Sequence, residues 1–307
     1  MNNVMQLVDN QSNSFDNVTF YGESGYLRLL EHVIENGVPA PDRTGVGVIK
    51  TFNHQLVYNI GIGEFPFSTV RPAPLRLAFE EFWFFLRGHT DTKLLEEKGI
   101  NFWKGNTSRE FLNNRGLSEL PEGNMGKAYG YQFRYFNDVH DQLEELIDTI
   151  RNDPYSRRML QTFWNPSQSK DMALTPCWHS HQFVVIPDSN GDLTLNLKVY
   201  NRSLDLLFGA NFAMQQYALY MMCIAELGNF KCGKIVFDLS DVHLYNNQIA
   251  YASEVLTRDM GVSGTVEILK EIRNIDDLLN LQWEDIHVDG LIVNDKPFNT
   301  KRPSMAV

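Results

Sequence analysis

The sequence predicts a protein of mixed helices and strands, because helical and strand-like patterns both occur along its 307 residues. In the helical segments, apolar residues recur every three or four positions, whereas the strand-like segments are short and apolar or alternating. The predicted helices cover residues 26–36, 75–87, 140–153 and 213–227. The predicted strands cover residues 48–60, 159–164, 193–200 and 234–239. With 43% hydrophobic residues, the chain can bury a complete core.

Residues that terminate helices support these boundaries. Each predicted helix is followed by a glycine or a proline: Gly37, Gly88, Pro154 and Gly228. Residues 1–20 are polar and rich in Asn and Ser, so we expect a flexible N-terminal tail. The rest contains no internal repeat, low-complexity segment or linker, and residues 21–307 are therefore expected to form a single domain.

The composition argues against several classes of function. The formal net charge is −11 at pH 7, and an acidic surface does not suit the electrostatic binding of DNA or of an anionic membrane. Three cysteines without metal-ligand spacing predict neither a disulfide framework nor a metal site. The N-terminus lacks the pattern of a signal peptide, and no window approaches the roughly 20 apolar residues of a membrane span. We therefore expect a cytoplasmic protein, in the host cytoplasm if it is viral.

The segment 174–211 contains the strongest candidate for chemistry. Cys177 lies between a proline and a Trp-His pair. Two predicted apolar strands come next in the sequence, and after them stand Arg202, Ser203 and Asp205. A thiol with an arginine nearby is a plausible nucleophile, because a positive charge favours the thiolate. The alternative is a small core residue, which is what most cysteines are. Other segments favour the nucleophile.

Arginines at turns predict an anion site. Arg43 lies in the glycine-bearing loop 42–47, and Arg157 and Arg158 adjoin the apolar segment 159–164. Two adjacent arginines entering a strand are costly unless an anion neutralises them. A single turn arginine is more often only solvated. Together the three favour a phosphate site.

Further candidates concern protons and flat ligands. Glu80 and Glu81 point about 100 degrees apart on a helix, so one can face the interior while the other is solvated. A carboxyl among aromatic residues has a raised pKa and can transfer protons near neutrality, although two surface acids are the alternative. Trp103 could stack on a flat ligand or fill a core. His243 and Tyr245 could bind one ligand group or be structural.

Considered together, these fragments resemble the thymidylate synthase family and its pyrimidine-modifying relatives, over most of the chain. The matching segments occur in the family's order and spacing: residues 43–47, Glu81 with 85–88, Trp103, 129–130, 141–143, 156–158, 164–166, 176–177, 182–183, 202–205, Gly209, 241–245 and the Met-Ala-Val terminus. One motif alone would be weak, whereas the ordered set is specific. The resemblance implies an α/β fold with a mixed sheet flanked by helices. It also implies one catalytic domain and a homodimer whose sheets pack back to back.

The resemblance also implies a reaction. The thiolate of Cys177 would add to C6 of a pyrimidine deoxynucleoside 5′-monophosphate and activate C5 toward the one-carbon donor 5,10-methylenetetrahydrofolate. Arg202 would favour the thiolate. Glu81 and Tyr129 would move protons on and off the base, and with Cys177 and Asp205 they make up the expected catalytic set. No metal is implied.

The other implied roles concern binding. The nucleotide phosphate would be held by Arg43, Arg202 and Ser203, with Arg157 and Arg158 supplied by the partner subunit. The base would lie near Trp178, Asn201 and Ala213, and the sugar hydroxyl would be bound by His243 and Tyr245. The folate would be held by Trp103, Asn106, Leu174, Asp205, Gly209, Phe212 and Val307, the last closing over it.

Three positions near the base depart from the family pattern. Trp178 stands where a thymidylate synthase has histidine, Ala213 replaces the asparagine that pairs with uracil, and Asn201 replaces a glutamine. Sites that hydrogen-bond a base edge can reject the wrong analogue by about 10⁴-fold, so the loss of that asparagine favours a cytosine nucleotide. Viral deoxycytidylate hydroxymethylases have an aspartate at this position. The 4-amino group would then be read by a bound water or by one of three side chains: His179, His181 or Gln216.

The expected activity is therefore hydroxymethylation of dCMP, in which water attacks the methylene intermediate. Lys127 could admit or organise that water, whereas Trp103, Leu174 and Val307 favour a closed site suited to hydride transfer. The enzymatic alternatives are reductive methylation of dUMP, dUMP hydroxymethylation and dCMP methylation. A paralogue that only binds nucleotide or RNA is the non-enzymatic alternative, and the intact Cys177 and arginines argue against it.

Overall fold

The computed structural model describes residues 18–304. The α-helices in this range are α1 (Gly22–Asn36), α2 (Leu75–Leu86), α3 (Lys93–Glu96), α4 (Arg109–Asn114), α5 (Tyr129–Tyr135), α6 (Gln142–Asn152), α7 (Gly209–Leu227), α8 (Ile249–Leu256) and α9 (Ile275–Leu279). The strands are β1 (Val18–Tyr21), β2 (Val38–Ala40), β3 (Val48–Asn59), β4 (Leu160–Thr162), β5 (Trp178–Pro187), β6 (Leu193–Asn201), β7 (Leu204–Asp205), β8 (Lys231–Tyr245), β9 (Thr265–Ile268) and β10 (Ile286–Asp289).

A mixed sheet forms the centre of the described chain. Its strand order is β1-β3-β8-β6-β5-β4, with β2 paired to β3 and β7 paired to β8. β3 and β8 run antiparallel, from Val48 opposite Tyr245 to Asn59 opposite Lys234. β6 runs parallel to β8 and antiparallel to β5. This arrangement confirms the predicted α/β fold with a mixed sheet flanked by helices.

The core lies between the sheet and the helices. α7 contacts β6 and β8, and it is buried almost all round, as expected for an interior helix that is apolar on every side. α2 packs against α7, and its Phe79 and Trp83 rings stack with centroids 4.3 Å apart. Along β6, the side chains of Leu195, Leu197 and Val199 are buried in alternation with partly exposed ones. One face of the sheet therefore packs on the helices.

The other face of the sheet is more open in the single chain. Val184 and Ile186 on β5 are 40% and 54% exposed, and Lys198 on β6 pairs with Asp238 on β8 at 2.6 Å. Exposed apolar side chains on a sheet face favour burial against another surface. None of the helices within residues 18–304 combines the length and hydropathy that crossing a bilayer requires.

Most predicted elements occur near their predicted positions, and the differences have local causes. α1 begins four residues before the predicted helix. The prediction started too late because Gly22 and Gly25 are poor helix formers, whereas in the structure Gly25 allows the backbone of Phe20 to approach closely. β8 extends through residues 240–245, and polar and apolar side chains alternate along residues 241–245, which pair with β3. The predicted tail includes residues 18–20, yet these belong to β1, which pairs with β3; residues 1–17 lie outside the described range.

Candidate active site

A cavity of about 710 Å³ collects most of the predicted site residues. The predicted residues in its wall are Arg43, Glu81, Trp103, Asn106, Tyr129, Leu174, Cys177, Trp178, Arg202, Ser203, Asp205, Gly209, Phe212, Ala213, His243 and Tyr245. They come from α2, α5, α7, β5, β7 and β8 and from the loops between them. The fold thus brings together side chains that lie up to 202 positions apart in the sequence, from Arg43 to Tyr245.

Cys177 immediately precedes β5, and hydrogen bonds hold its backbone on both sides. Its N–H donates to the Tyr129 hydroxyl oxygen at 2.8 Å, and its carbonyl accepts from the Arg202 backbone N–H at 2.9 Å. The Arg202 guanidinium donates to the Pro176 and Thr175 carbonyls, and its Nη2 lies 3.8 Å from the Cys177 Sγ. The thiol is therefore fixed beside a positive charge.

The charge on Arg202 only partly offsets the effect of burial on this thiol. Desolvation raises the pKa of Cys177 above its ordinary value of 9, while Arg202 and Arg43 lower it and Asp205 raises it. The sequence predicted that Arg202 would favour the thiolate, and it does act in that direction. The prediction was incomplete because burial has the larger effect, so the pKa of the thiol stays above its ordinary value.

Glu81 is a buried carboxyl held by two donors. Trp103 Nε1 donates to its Oε1 at 2.6 Å, and Gln216 Nε2 donates to its Oε2 at 2.6 Å. Burial raises the pKa of Glu81 to about 7, although both hydrogen bonds lower it. The neighbouring Glu80 points elsewhere and forms an ion pair with Lys98 at 2.6 Å. The expectation that one of the two acids would be solvated was wrong, because both side chains are buried.

Positive charge without a carboxylate partner marks the end of the cavity near Arg43. Within residues 18–304, neither Arg43 nor Arg202 forms an ion pair with a carboxylate. The loop before β3 is shaped by Asp42, whose carboxylate accepts from the backbone N–H groups of Thr44 and Gly47 at 2.6 Å. His243 Nδ1 lies 2.9 Å from Asp241 Oδ1, which fixes the orientation of its ring. These groups can bind an anion and an adjacent hydroxyl.

An aromatic wall on another side of the cavity fits a flat ring system. Phe102 and Phe212 meet with centroids 5.1 Å apart, and the Trp103 ring packs edge-on against Phe85. A Cβ added at Gly209 would meet only Asp205, at 3.7 Å, so space remains beside it. The Asp205 carboxylate accepts hydrogen bonds from the backbone of α7's entry and from Gln248, which holds it rigidly. The Asp205 carboxylate is a hydrogen-bond acceptor beside open space, and it therefore suits a pterin-like ring with N–H groups.

Several predicted residues lie elsewhere. Arg157 and Arg158 are exposed and do not line the cavity, and Asn201 is buried behind it with neither amide atom hydrogen-bonded within the described residues. Lys127 does not line the cavity either. Its Nζ binds Asp138 at 2.8 Å, so the expectation that it could organise a water at the reaction centre was wrong. Val307 lies outside the described residues.

The candidates for reading the base are also reduced. His181 is fully buried, lies 2.7 Å from Gln161 Oε1 and does not line the cavity, and His179 is likewise absent from its wall. Gln216 and Trp178 do line it. The expectation that either histidine reads the base was therefore wrong, because His181 is enclosed among the rings of Phe133, Phe183 and Tyr220, and neither histidine lines the cavity.

The sequence reasoning missed some of the cavity wall. Arg115 lines it and donates to the carbonyls of Met172 and Ala173, which positions the segment before Cys177. Arg302 also lines it, with its guanidinium 5.3 Å from the Phe208 ring centroid. An isolated arginine carries no local signal for such a role, because its partners are backbone or ring groups distant in sequence.

Known proteins resemble this chain over most of its length. A family model described as thymidylate synthase matches residues 24–297. The thymidylate synthase of varicella-zoster virus (strain Dumas) is 35% identical over 284 residues, covering 89% of this chain and 91% of the relative. That of Homo sapiens is 34% identical over 299 residues, covering 94% and 91%. The bifunctional dihydrofolate reductase-thymidylate synthase of Zea mays is 36% identical over 273 residues, and the chain spans about half of its length (51%).

These matches cover the cavity and the strands and helices around it. The chain belongs to the thymidylate synthase family, whose members are one-carbon transferases with 5,10-methylenetetrahydrofolate as the donor.

Proposed function

We propose that this protein methylates C5 of dUMP, with Cys177 as the nucleophile. The observation that carries the proposal is the position of the Cys177 thiol, 3.8 Å from the Arg202 guanidinium, in a cavity that also contains the buried acid Glu81. A nucleophile and a proton-transferring acid facing one cavity are what addition to a pyrimidine ring requires. Family membership supports the same reaction class.

The addition at C6 and the proton transfers of this reaction can be assigned to particular side chains. The Cys177 thiol loses its proton as its sulfur bonds to C6, and the C5–C6 electron pair moves toward C5 and the C4 oxygen. After C5 has gained its substituent, its hydrogen leaves as a proton, and the sulfur–C6 bond breaks to restore the C5–C6 double bond. The folate supplies the one-carbon unit and the hydride. Glu81, with a pKa of about 7, can exchange a proton with the base at neutral pH. Burial holds the pKa of Tyr129 well above 10, so its hydroxyl stays protonated and can donate.

Reductive methylation is favoured over hydroxymethylation by what surrounds Glu81. Trp103 donates to Glu81 at 2.6 Å and packs edge-on against Tyr129, so apolar ring surface rather than a water-binding group lies beside the acid. Lys127, the candidate for organising an attacking water, instead binds Asp138. The relatives that are named thymidylate synthase support dUMP as the substrate.

Hydroxymethylation of dCMP is the second candidate, and Ala213 is the observation that favours it. This residue lines the cavity yet has no side chain that can pair with a base edge. The two candidates differ in both substrate and product, so one experiment separates them.

The experiment supplies dUMP or dCMP with methylenetetrahydrofolate and identifies the product by mass spectrometry. We expect thymidylate from dUMP together with an equal amount of dihydrofolate, which is followed by absorbance. Hydroxymethylated dCMP without dihydrofolate would establish the second candidate. No C5-substituted product from either nucleotide would refute both.

We also propose a homodimer that shares arginines between its two sites. Arg157 and Arg158 follow α6 at the edge of the sheet, exposed and outside their own chain's cavity. Val184 and Ile186 are exposed apolar side chains on the sheet face beside them, which also carries the ion pair between Lys198 and Asp238. A two-fold dimer through this face would cover it and could bring these arginines to the partner's phosphate site.

Mixing two inactive variants tests the shared site. We expect Cys177→Ala and the double variant Arg157→Ala/Arg158→Ala each to be inactive, because each lacks one component of every site. After unfolding and refolding together, about a quarter of wild-type activity should return, since half of the dimers are mixed and each restores one of two sites. No recovery, with dimers confirmed by light scattering, would contradict shared sites.

A further inference from the structure

Two positions on α7 share one face and reach the same cavity. Ala213 and Gln216 are three residues apart, a spacing that places side chains on the same side of a helix. Both line the cavity. Ala213 offers no hydrogen-bonding group, whereas Gln216 carries an amide one turn further along the helix.

Only one of the two polar groups of the Gln216 amide forms a hydrogen bond within the described residues. Its Nε2 donates to Glu81 Oε2 at 2.6 Å, and the side chain is 5% exposed. Within the described residues, no donor forms a hydrogen bond to its carbonyl oxygen. That oxygen is also not one of the fully buried polar atoms, so it remains accessible from the cavity. One edge of the amide therefore binds the acid, and the other is left for a ligand.

We propose that Gln216 determines which pyrimidine is accepted, by hydrogen-bonding the C4 edge of the base in place of the side chain that Ala213 lacks. This inference rests on the proposed function, because it assumes a pyrimidine nucleotide in the cavity. The adjacent Glu81 then fixes which edge of the amide faces the base.

The two orientations of the amide match the two bases. In the structure the Nε2 donates to Glu81, so the carbonyl oxygen is the free group, and this acceptor would pair with the 4-amino group of cytosine when Glu81 is ionised. When Glu81 is protonated, it donates to the carbonyl oxygen, and the Nε2 is free to donate to O4 of uracil. The second orientation fits dUMP and places a donor where negative charge develops once Cys177 has added to C6.

Binding constants for dUMP and dCMP without folate test this assignment, because they do not depend on turnover. Because dUMP needs the amide in its second orientation, we expect the wild-type protein to bind dUMP at least about 10-fold more tightly than dCMP at about pH 6, where Glu81, with a pKa of about 7, is mostly protonated. Gln216→Met keeps a similar volume but removes the amide, so its two constants should agree within about threefold. Gln216→Glu, with acceptor oxygens when ionised, should favour dCMP.

A rescue variant distinguishes base reading from a loss of packing. Adding Ala213→Asn to Gln216→Met returns an amide to the same helical face and should restore the preference for dUMP. The inference is overturned if Gln216→Met keeps the wild-type preference, or if the wild type binds both nucleotides equally. If the wild type makes thymidylate while Gln216→Met retains its selectivity, the proposed function stands and only this inference fails.

Discussion

Replacing Cys177 with alanine should lower kcat for C5 transfer by at least about 10⁴-fold. The thiol is the sole nucleophile that we assign to the addition at C6, and removal of a covalent nucleophile is among the largest single losses in enzyme catalysis. Folding should be little affected, because Cys177 lies at the cavity surface and its backbone hydrogen bonds to Tyr129 and Arg202 do not need the side chain. Rates with dUMP and methylenetetrahydrofolate measure the effect.

Cys232→Ala is the matched control. Its thiol is also partly buried, with a pKa raised by desolvation to about 11, but it does not line the cavity. This variant should retain nearly all of the activity. Residual activity of Cys177→Ala above about one-hundredth of wild type would contradict covalent catalysis through this residue.

The second large effect concerns Glu81→Gln. We expect kcat to fall by about 10²- to 10⁴-fold, because the variant keeps an acceptor for Trp103 but cannot exchange a proton with the base. Glu80→Gln is the control, since Glu80 binds Lys98 rather than a cavity group. It should lose less than about twofold. Equal losses in the two variants would refute the role of Glu81 in proton transfer.

The same substitution should change how stability depends on pH. Burial raises the pKa of Glu81 from 4.5 to about 7. Between these values the unfolded chain releases its proton while the folded chain keeps it, so the free energy of unfolding falls as pH rises. The contribution is fully present below pH 4.5 and is lost by pH 7, a change of about 3 kcal/mol.

Denaturant unfolding of the wild type and of Glu81→Gln across this range measures the change. Relative to the wild type, the variant should gain about 3 kcal/mol between pH 4.5 and pH 7, because glutamine carries no titrating proton. A difference between the two proteins that does not vary with pH would show that Glu81 titrates at its ordinary value.

Local patterns predicted much of the fold. The helical spacing of apolar residues located α2, α6 and α7 to within about four residues at each end, because their cores are long and periodic. The short helices α4 and α5 carry too few periodic positions to be recognised. Residues 240–245 of β8 are held as a strand by pairing with β3, which is a tertiary effect.

The candidate site divides in the same way. The resemblance to the family, which rests on residue identity and order, predicted that Cys177, Arg43 and His243 would share a cavity with Glu81, and all four line it. The directions of individual side chains were not predictable, because they depend on partners brought close by the fold. Lys127 forms an ion pair with Asp138, and Gln216 donates a hydrogen bond to Glu81, which is 135 positions away in the sequence. The raised pKa of Cys177 was also not predictable, because desolvation depends on everything that packs around the thiol.

The most direct test of C5 activation by Cys177 is tritium release from [5-³H]dUMP, with [5-³H]dCMP in parallel, in the presence of methylenetetrahydrofolate. Substitution at C5 must expel the hydrogen there, so the label appears in water whichever product forms. The proposed chemistry predicts release from dUMP by the wild type and none by Cys177→Ala. Absence of release from both nucleotides, or equal release by the Cys177→Ala variant, would contradict it.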